Sequence, residues 1–370
     1  MDRRPAPDLA KSQAALRSAP AAAIAVPARS GDTQTARPRR PSIDQRANLL
    51  LLTVVTCAAL LQLFGLGALL HAWGAVALLL IVPVVVLTPT HWGLIHEAIH
   101  GQLFPSRRVN DAVARVLSIA LAVPFDTVRF GHLMHHRFTR EPYDQPDLHD
   151  GTGSLWQARL IYYVRLLGGL YVGELVVPLL AFTPVAFASA RVAAAVGAAG
   201  PVGAQVQRLF ANFAADPVRR GRTRRDWLAT LVLYGVAFWF YGAWWPALAA
   251  LMLLRGIWIS MADNLPHFDV ELDEPGRARN FELAPFWRVI VMNHHLHRLH
   301  HEQPTLPWTA LPARAVEGDT KVVDDQDADR TDGGTQTQPG RNDARPMPYF
   351  REALRQFSGP KRAAMEHGRA

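Results

Sequence analysis

The feature that most restricts what this chain can become is a long run without a single charged side chain. From Ala47 to Leu70 the sequence reads ANLLLLTVVTCAALLQLFGLGALL. A helix of that length crosses about 30 Å of hydrocarbon, where the helix satisfies its own backbone polar groups. After the short HAWG follows AVALLLIVPVVVLTPT, a second apolar run. The two predict a helical hairpin with its tight turn on the outer side. Further along, WLATLVLYGVAFWFYGAWW and PALAALMLLRGIWISMA predict a second hairpin. Its turn is rich in Trp, as at a membrane–water boundary. The expected fold class is all-α: an integral membrane helical bundle of about four transmembrane helices arranged as two hairpins.

Between and around these runs the sequence is less uniform. Residues 109–125 are apolar but carry Asp111 and Arg115, which suits an interfacial or buried helix. Residues 158–185 include Arg165 and Glu174 and fit a crossing, a re-entrant piece or an interfacial helix equally. The basic groups RPRR at Arg37–Arg40 and RRGRTRR at Arg219–Arg225 place the flanking ends on the cytoplasmic side. Apolar residues make up only 49% of the chain because both ends are polar, so bulk composition conceals the membrane character. The expected organisation is a disordered basic Pro/Ala-rich tail over 1–45, a membrane domain over 46–312, and a polar, largely disordered tail over 313–370. No apolar segment precedes residue 47, so no cleavable signal peptide is expected. The net charge of +8 comes from Arg residues grouped beside the apolar runs, without a basic-and-aromatic pattern. That points to a lipid surface and not to nucleic acid. The single cysteine, Cys57, excludes an internal disulfide.

The fifteen histidines are not scattered. Twelve fall in four places: three over 91–100, three over 132–136, one at 267 and five over 294–301. In His96-Glu-Ala-Ile-His100 the i, i+4 spacing puts both imidazoles on one helix face. In His132-Leu-Met-His135-His136 and again in His297-Arg-Leu-His300-His301, the i, i+3 and i+4 positions share a face. Eight imidazoles are too many for one ion and suit two ions held by helix-borne ligands. Imidazole accepts Zn, Cu, Fe and Ni alike, so ligand type does not choose the metal. If residues 158–200 make no net crossing, two hairpins bring every cluster to one membrane face, as a helical cap on the cytoplasmic side. HEAIH also fits the H-E-x-x-H of zinc metalloproteases, with Glu97 as general base. That reading leaves the other two clusters unused, and Glu97 is read instead as an outer partner that orients a ligand imidazole.

The order HEAIHG, HLMHH, HLHRLHH resembles the three histidine boxes of the membrane fatty acid desaturases and their hydroxylase and ketolase relatives. The likeness extends to HEAIHGQLFPSRRVND with its Arg and Asn-Asp, and to HHRFTREPYDQPD with Thr139 and an Asp-Pro pattern. It continues in HRLHHEQPTLPW with its Pro and Pro-Trp. It covers roughly residues 45–312. The resemblance implies a histidine-ligated di-iron centre with ligands His96, His100, His132, His135, His136, His297, His300 and His301. In this family a further histidine near an asparagine precedes the third box, so DNLPHF implies His267 as a ninth ligand and Asn264 as a water-mediated or outer contributor. It also implies two iron ions, dioxygen, an acyl-lipid or other long apolar substrate, and two electrons per turnover. With one cysteine the chain cannot hold an Fe–S cluster. The expected donor is therefore a separate ferredoxin-, rubredoxin- or cytochrome b5-like protein. The nearest alternative outcome on the same site is hydroxylation or ketolation of an alkane, carotenoid or acyl chain. The sequence leaves His91, His294 and His295 without a role.

Overall fold

The computed structural model describes residues 42–149, 151, 153–316 and 347–362. Most of the expected N-terminal tail, the RPRR group and residues 317–346 and 363–370 lie outside the described residues.

The structure is mostly helical. Helix α1 runs over 45–73, its first turn capped by the Asp44 carboxylate, which accepts from the Arg46 and Ala47 amides at 3.1 and 3.0 Å. The chain reverses at Gly74 and returns as α2 over 74–99. After α3 (Arg107–Ala120) and α4 (Phe125–Arg137) come strand β1 (Leu148–His149) and a kinked helical stretch, α5 (Leu155–Phe182). Helices α6 (Val185–Val196) and α7 (Gly203–Ala215) form a small hairpin. Helix α8 (Pro217–Tyr241) turns at Gly242 into α9 (Trp245–Asn264). Strand β2 (Phe281–Glu282), helix α10 (Pro285–Ile290) and helix α11 (His297–Glu302) complete the central region. The described C-terminal segment holds β3 (Met347–Pro348), α12 (Tyr349–Arg355) and β4 (Lys361–Arg362).

Three stretches, Gln45–Ile99, Leu155–Phe182 and Pro217–His267, are long and apolar enough to cross a membrane. The first and third are the expected hairpins. Their reversals fall where the backbone takes positive φ, 69° at Gly74 and 51° at Gly242, a conformation that only glycine adopts without strain. Within the first hairpin, Val55, Ala59, Val84 and Leu87 line one crevice between the two limbs. The hairpins are joined by a buried polar knot. Tyr241 donates to the Gln62 carbonyl at 2.5 Å, and the Gln62 amide donates to the Tyr234 hydroxyl at 3.2 Å. Buried Arg255 donates to the Gln62 side-chain oxygen, to Thr88 Oγ1 at 3.2 Å and to His91 Nδ1 at 2.8 Å. His91, which the sequence left unassigned, is thereby a link inside the bundle, its Nε2–H donating to the Leu117 carbonyl at 2.9 Å.

Above the knot a single apolar cluster joins α1, α2, α3, α4, α5 and α9 through residues such as Val55, Leu94, Leu117, Phe125, Tyr171 and Ile259. It forms the floor beneath the histidines. The expected C-terminal tail differs from the sequence reading over 347–362. There β3 pairs in parallel with β2, and β4 with β1. Gln356, fully buried, receives a hydrogen bond from Asn264. Much of the segment is exposed, but Glu352, Gln356 and Gly359 are buried, and it is fastened to the body by its polar groups.

Candidate metal centre

Each histidine cluster is presented by a helix end with a local cause. Helix α2 stops at Ile99 because Gly101 (φ 76°) turns the chain, with the Gln102 amide bonded back to the Glu97 carbonyl at 2.7 Å. Buried Asn110 ties that turn down: its Nδ2 donates to the Ala98 carbonyl at 2.5 Å while its Oδ1 accepts from the Leu103 and Phe104 amides. Thus the Asn-Asp downstream of the first cluster has a structural reason. So has the Pro-Trp after the third, since Trp308 donates through Nε1 to Asn48 Oδ1 at 2.8 Å and through its amide to Glu97 Oε2 at 3.1 Å. Helix α4 carries His132, His135 and His136, and α11 carries His297, His300 and His301. His267 closes the 3-10 turn that follows α9.

The nine histidines expected from the sequence come together in two groups. His96, His100, His132, His136 and His300 form one; His135, His267, His297 and His301 form the other. Within each group the potential ligand atoms lie within 4.8 Å of one another. In the first, the Nε2 atoms of His100 and His132 are 2.9 Å apart, those of His132 and His136 3.0 Å, and those of His136 and His300 3.1 Å. In the second, His135 and His267 meet at 3.1 Å, and so do His297 and His301. Two nitrogens about 2.1 Å from one ion and at right angles to each other are about 3.0 Å apart, so these spacings fit imidazoles around a common centre.

The outer ring nitrogens fix which atom faces inward. His135 Nδ1–H donates to Asp144 Oδ2 at 2.8 Å, and His267 Nδ1–H to the Arg277 carbonyl at 2.9 Å. Thr139 gives its own proton to the His135 carbonyl, so its oxygen accepts from His301 Nδ1 at 3.3 Å. Each Nε2 therefore offers a lone pair to the interior. His96 has both ring nitrogens buried without a hydrogen-bond partner. An unpaired buried polar atom costs roughly 1–3 kcal/mol, which coordination would relieve. The donor set fits a pair of ions.

Burial, then the charge of neighbouring groups, holds these imidazoles neutral. The pKa falls to about 4 at His100 and about 2 at His136, and lies well below the ordinary 6.5 at His132, His297, His300 and His301. His135 is the exception. Burial lowers its pKa, but the hydrogen-bonded Asp144 carboxylate more than offsets this and raises it. The same pairing outweighs burial at Asp144 and keeps its carboxyl below the usual range.

Other expected residues sit differently. Glu97 accepts from Trp308, with its second oxygen 3.5 Å from His294 Nε2 and 3.9 Å from His96 Nδ1. His96, Glu97 and His294 make a third, smaller group that the sequence did not indicate. In this position Glu97 is engaged by a backbone amide, which does not suit the general base of a zinc protease. The Asn264 amide nitrogen turns to Gln356 Oε1 at 2.7 Å and the Tyr162 hydroxyl at 3.4 Å. The partners at Asp144 and the Arg277 carbonyl were missed. Asp144 was visible as an acid in the turn after the second cluster, whereas a backbone carbonyl leaves no trace in the sequence.

His132 and His135 also line an open cavity of about 900 Å³ between α4, α5, α6, α7 and the start of α8. Its walls are largely apolar, with Phe130, Leu170, Val177 and Phe213 among them. A few polar groups interrupt them. Arg165 pairs with Asp263 at 3.2 Å, while Arg165 Nε and Glu174 Oε2 lie buried without hydrogen-bond partners.

A model of the fatty acid desaturase family matches residues 71–323, well over half of the chain and all nine histidines. No curated protein matches the chain.

Proposed function

The chain belongs to the fatty acid desaturase family, and on that premise we propose that it is a dioxygen-dependent membrane desaturase with two iron ions bound by the nine histidines. The carrying observation is the split of those histidines into groups of five and four at the end of an apolar cavity. Two irons held there would activate dioxygen and abstract hydrogen from an unactivated C–H bond. The five-histidine group takes one ion through His96, His100, His132, His136 and His300. The four-histidine group takes the other through His135, His267, His297 and His301. Asp144, the Arg277 carbonyl and Thr139 orient three of these imidazoles, and Glu97 supports the first group from outside. The apolar walls hold an acyl chain and keep water from the reacting carbons. In the net reaction the chain loses two hydrogens, and dioxygen becomes two waters with two electrons and two protons supplied. The electrons come from a separate donor protein, and the site faces the cytoplasm; Arg222 and Arg225 are exposed on α8.

Metal analysis tests this directly. Active protein is expected to hold about two irons per chain, falling with activity in His135→Ala and His300→Ala. Active protein containing only zinc would overturn the proposal.

A second outcome, hydroxylation or ketolation on the same site, has one observation in its favour. The unpartnered polar atoms of Arg165 and Glu174 in the cavity wall suit an oxygen-bearing chain. Mass spectrometry of lipids from expressing cells separates the two by the mass of the product.

A further inference from the structure

We propose that the C-terminal segment 347–362 is a built-in clamp for the four-histidine group, with Gln356 as its positioning residue. The proposal rests on the di-metal reading given above. The segment lies beyond residues 71–323, which the family model matches.

Both ends of the segment are stapled to loops that serve that group. At its start, Met347 and Pro348 pair with Phe281 and Glu282. That loop supplies the Arg277 carbonyl to His267, and its Phe281 amide donates to the His295 carbonyl at 2.8 Å, two residues before His297. At its end, Lys361 and Arg362 pair with Leu148 and His149, and the Lys361 amide donates to the Asp147 carbonyl at 2.7 Å. That second loop supplies Asp144 to His135 and Thr139 to His301.

The middle of the segment fastens the helix that delivers His267. Gln356 Oε1 accepts from Asn264 at 2.7 Å, and its backbone carbonyl accepts from the Tyr162 hydroxyl at 2.8 Å. Arg355 pairs with Asp269 at 3.1 Å and Lys361 with the same carboxylate at 3.8 Å.

The loops need such fastening. Arg140, Asp269 and Arg277 are non-glycine residues in the left-handed region, at φ 63°, 59° and 49°. Backbone of that kind persists only where the surroundings over-determine it. Part of the restraint is internal: Arg140 donates to Asp147 and to the Val270 carbonyl, and Arg277 to the Thr139 carbonyl. At Asp269 the amide donates to Asp147 Oδ2 at 3.0 Å and the carbonyl accepts from Arg279, and the clamp adds the two ion pairs to its carboxylate. The five-histidine group depends less on these loops. His132, His136 and His300 share α4 and α11 with the other group, but Asp144, Thr139 and the Arg277 carbonyl hold rings of the four-histidine group. His96 stands on α2, rooted in the apolar floor.

The test uses the full chain loaded with iron. Gln356→Met keeps the side-chain volume and removes the acceptor for Asn264. Iron release to a chelator is followed over time for the wild type, Gln356→Met and His267→Ala. The expected result is that one ion leaves Gln356→Met at least about tenfold faster than the wild type while the other keeps its rate. The fast ion should be the one absent from His267→Ala. Release of both ions at wild-type rates, or equal acceleration of both, would overturn the clamp. Should Gln356→Met not fold, Asp269→Asn weakens the Arg355 and Lys361 pairs at constant size and is judged by the same two results. A wild-type chain that takes up no second ion would sink the di-metal reading, and the clamp with it.

Discussion

At His135 two opposing effects act on one imidazole, and their balance sets the acid limit of the centre. Burial disfavours the charged ring, but the Asp144 carboxylate at 2.8 Å favours it more, so the pKa rises above 6.5. The other ligands outside the apolar spans move the opposite way, His100 to about 4. Protons and metal compete for the same lone pair. As pH falls, His135 is therefore protonated above 6.5, while His100 keeps its lone pair until about pH 4. The ion of the four-histidine group should leave first on acidification. Metal content after equilibration at stepped pH should show two separate losses, and a single joint loss would refute this assignment. The paired Asp144–His135 hydrogen bond thus orients the ligand and also makes it the first to be displaced by acid.

At the scale of elements, the clusters depend on how each helix ends. The turn after α2 places His100, and Asn110 closes that turn with three hydrogen bonds although it sits in the next helix. Replacing Asn110 by Ala leaves the Leu103 and Phe104 amides without their partner, while the Ala98 carbonyl keeps the Gly101 amide. The expected cost is about 1–3 kcal/mol of stability. Thermal unfolding in detergent should register it as a lower midpoint, and a midpoint unchanged within about 1 °C would show that water replaces the side chain. Helix α5 illustrates a different kind of ending. It breaks at Leu167 and Gly168, where φ reaches 110°, and Glu174 and the surrounding glycines then face the cavity. The charged residues that obscured this stretch in the sequence are the ones that line the cavity.

For the whole molecule, the number of crossings constrains how α5 can lie. His135 Nε2 is 3.1 Å from His267 Nε2, so the chain between them must begin and end on the same side of the membrane. If the hairpin α8–α9 crosses and returns, residues 138–216 make no net crossing. Helix α6, the next apolar helix, has 12 residues and spans only about 18 Å, too short to bring the chain back across about 30 Å. On that count α5, though long and apolar enough to cross, would not cross alone; in the structure it stands as a wall of the cavity. Gly173 lies on that wall, with no atom within 4 Å of the position a Cβ would take. Gly173→Phe is expected to fill part of the roughly 900 Å³ space and lower turnover of the longest chains, with metal content retained. Lipid product profiles across chain lengths check this, and a uniform change at every length would place the substrate elsewhere.

By itself the sequence determined the apolar helical character, the two hairpins and the three histidine clusters, because each of these depends on local periodicity, whereas His267 was implied only by the resemblance to the family. An uncharged run as long as Ala47–Leu70 has no other low-energy arrangement in lipid, and i, i+3, i+4 spacing puts His132, His135 and His136 on one side of a helix whatever surrounds it. Only the tertiary structure decided how those histidines divide. Neighbours His135 and His136 go to different groups, as do His300 and His301, because a side chain's partners are set by which helices converge and not by chain order. The same holds for Asn264, which turns to Gln356 across more than ninety residues. Segment 347–362 is polar and short, without the periodicity that announces a buried element. What fastens it is a set of hydrogen bonds to loops far away in the chain, and such bonds exist only once the fold has brought the two together.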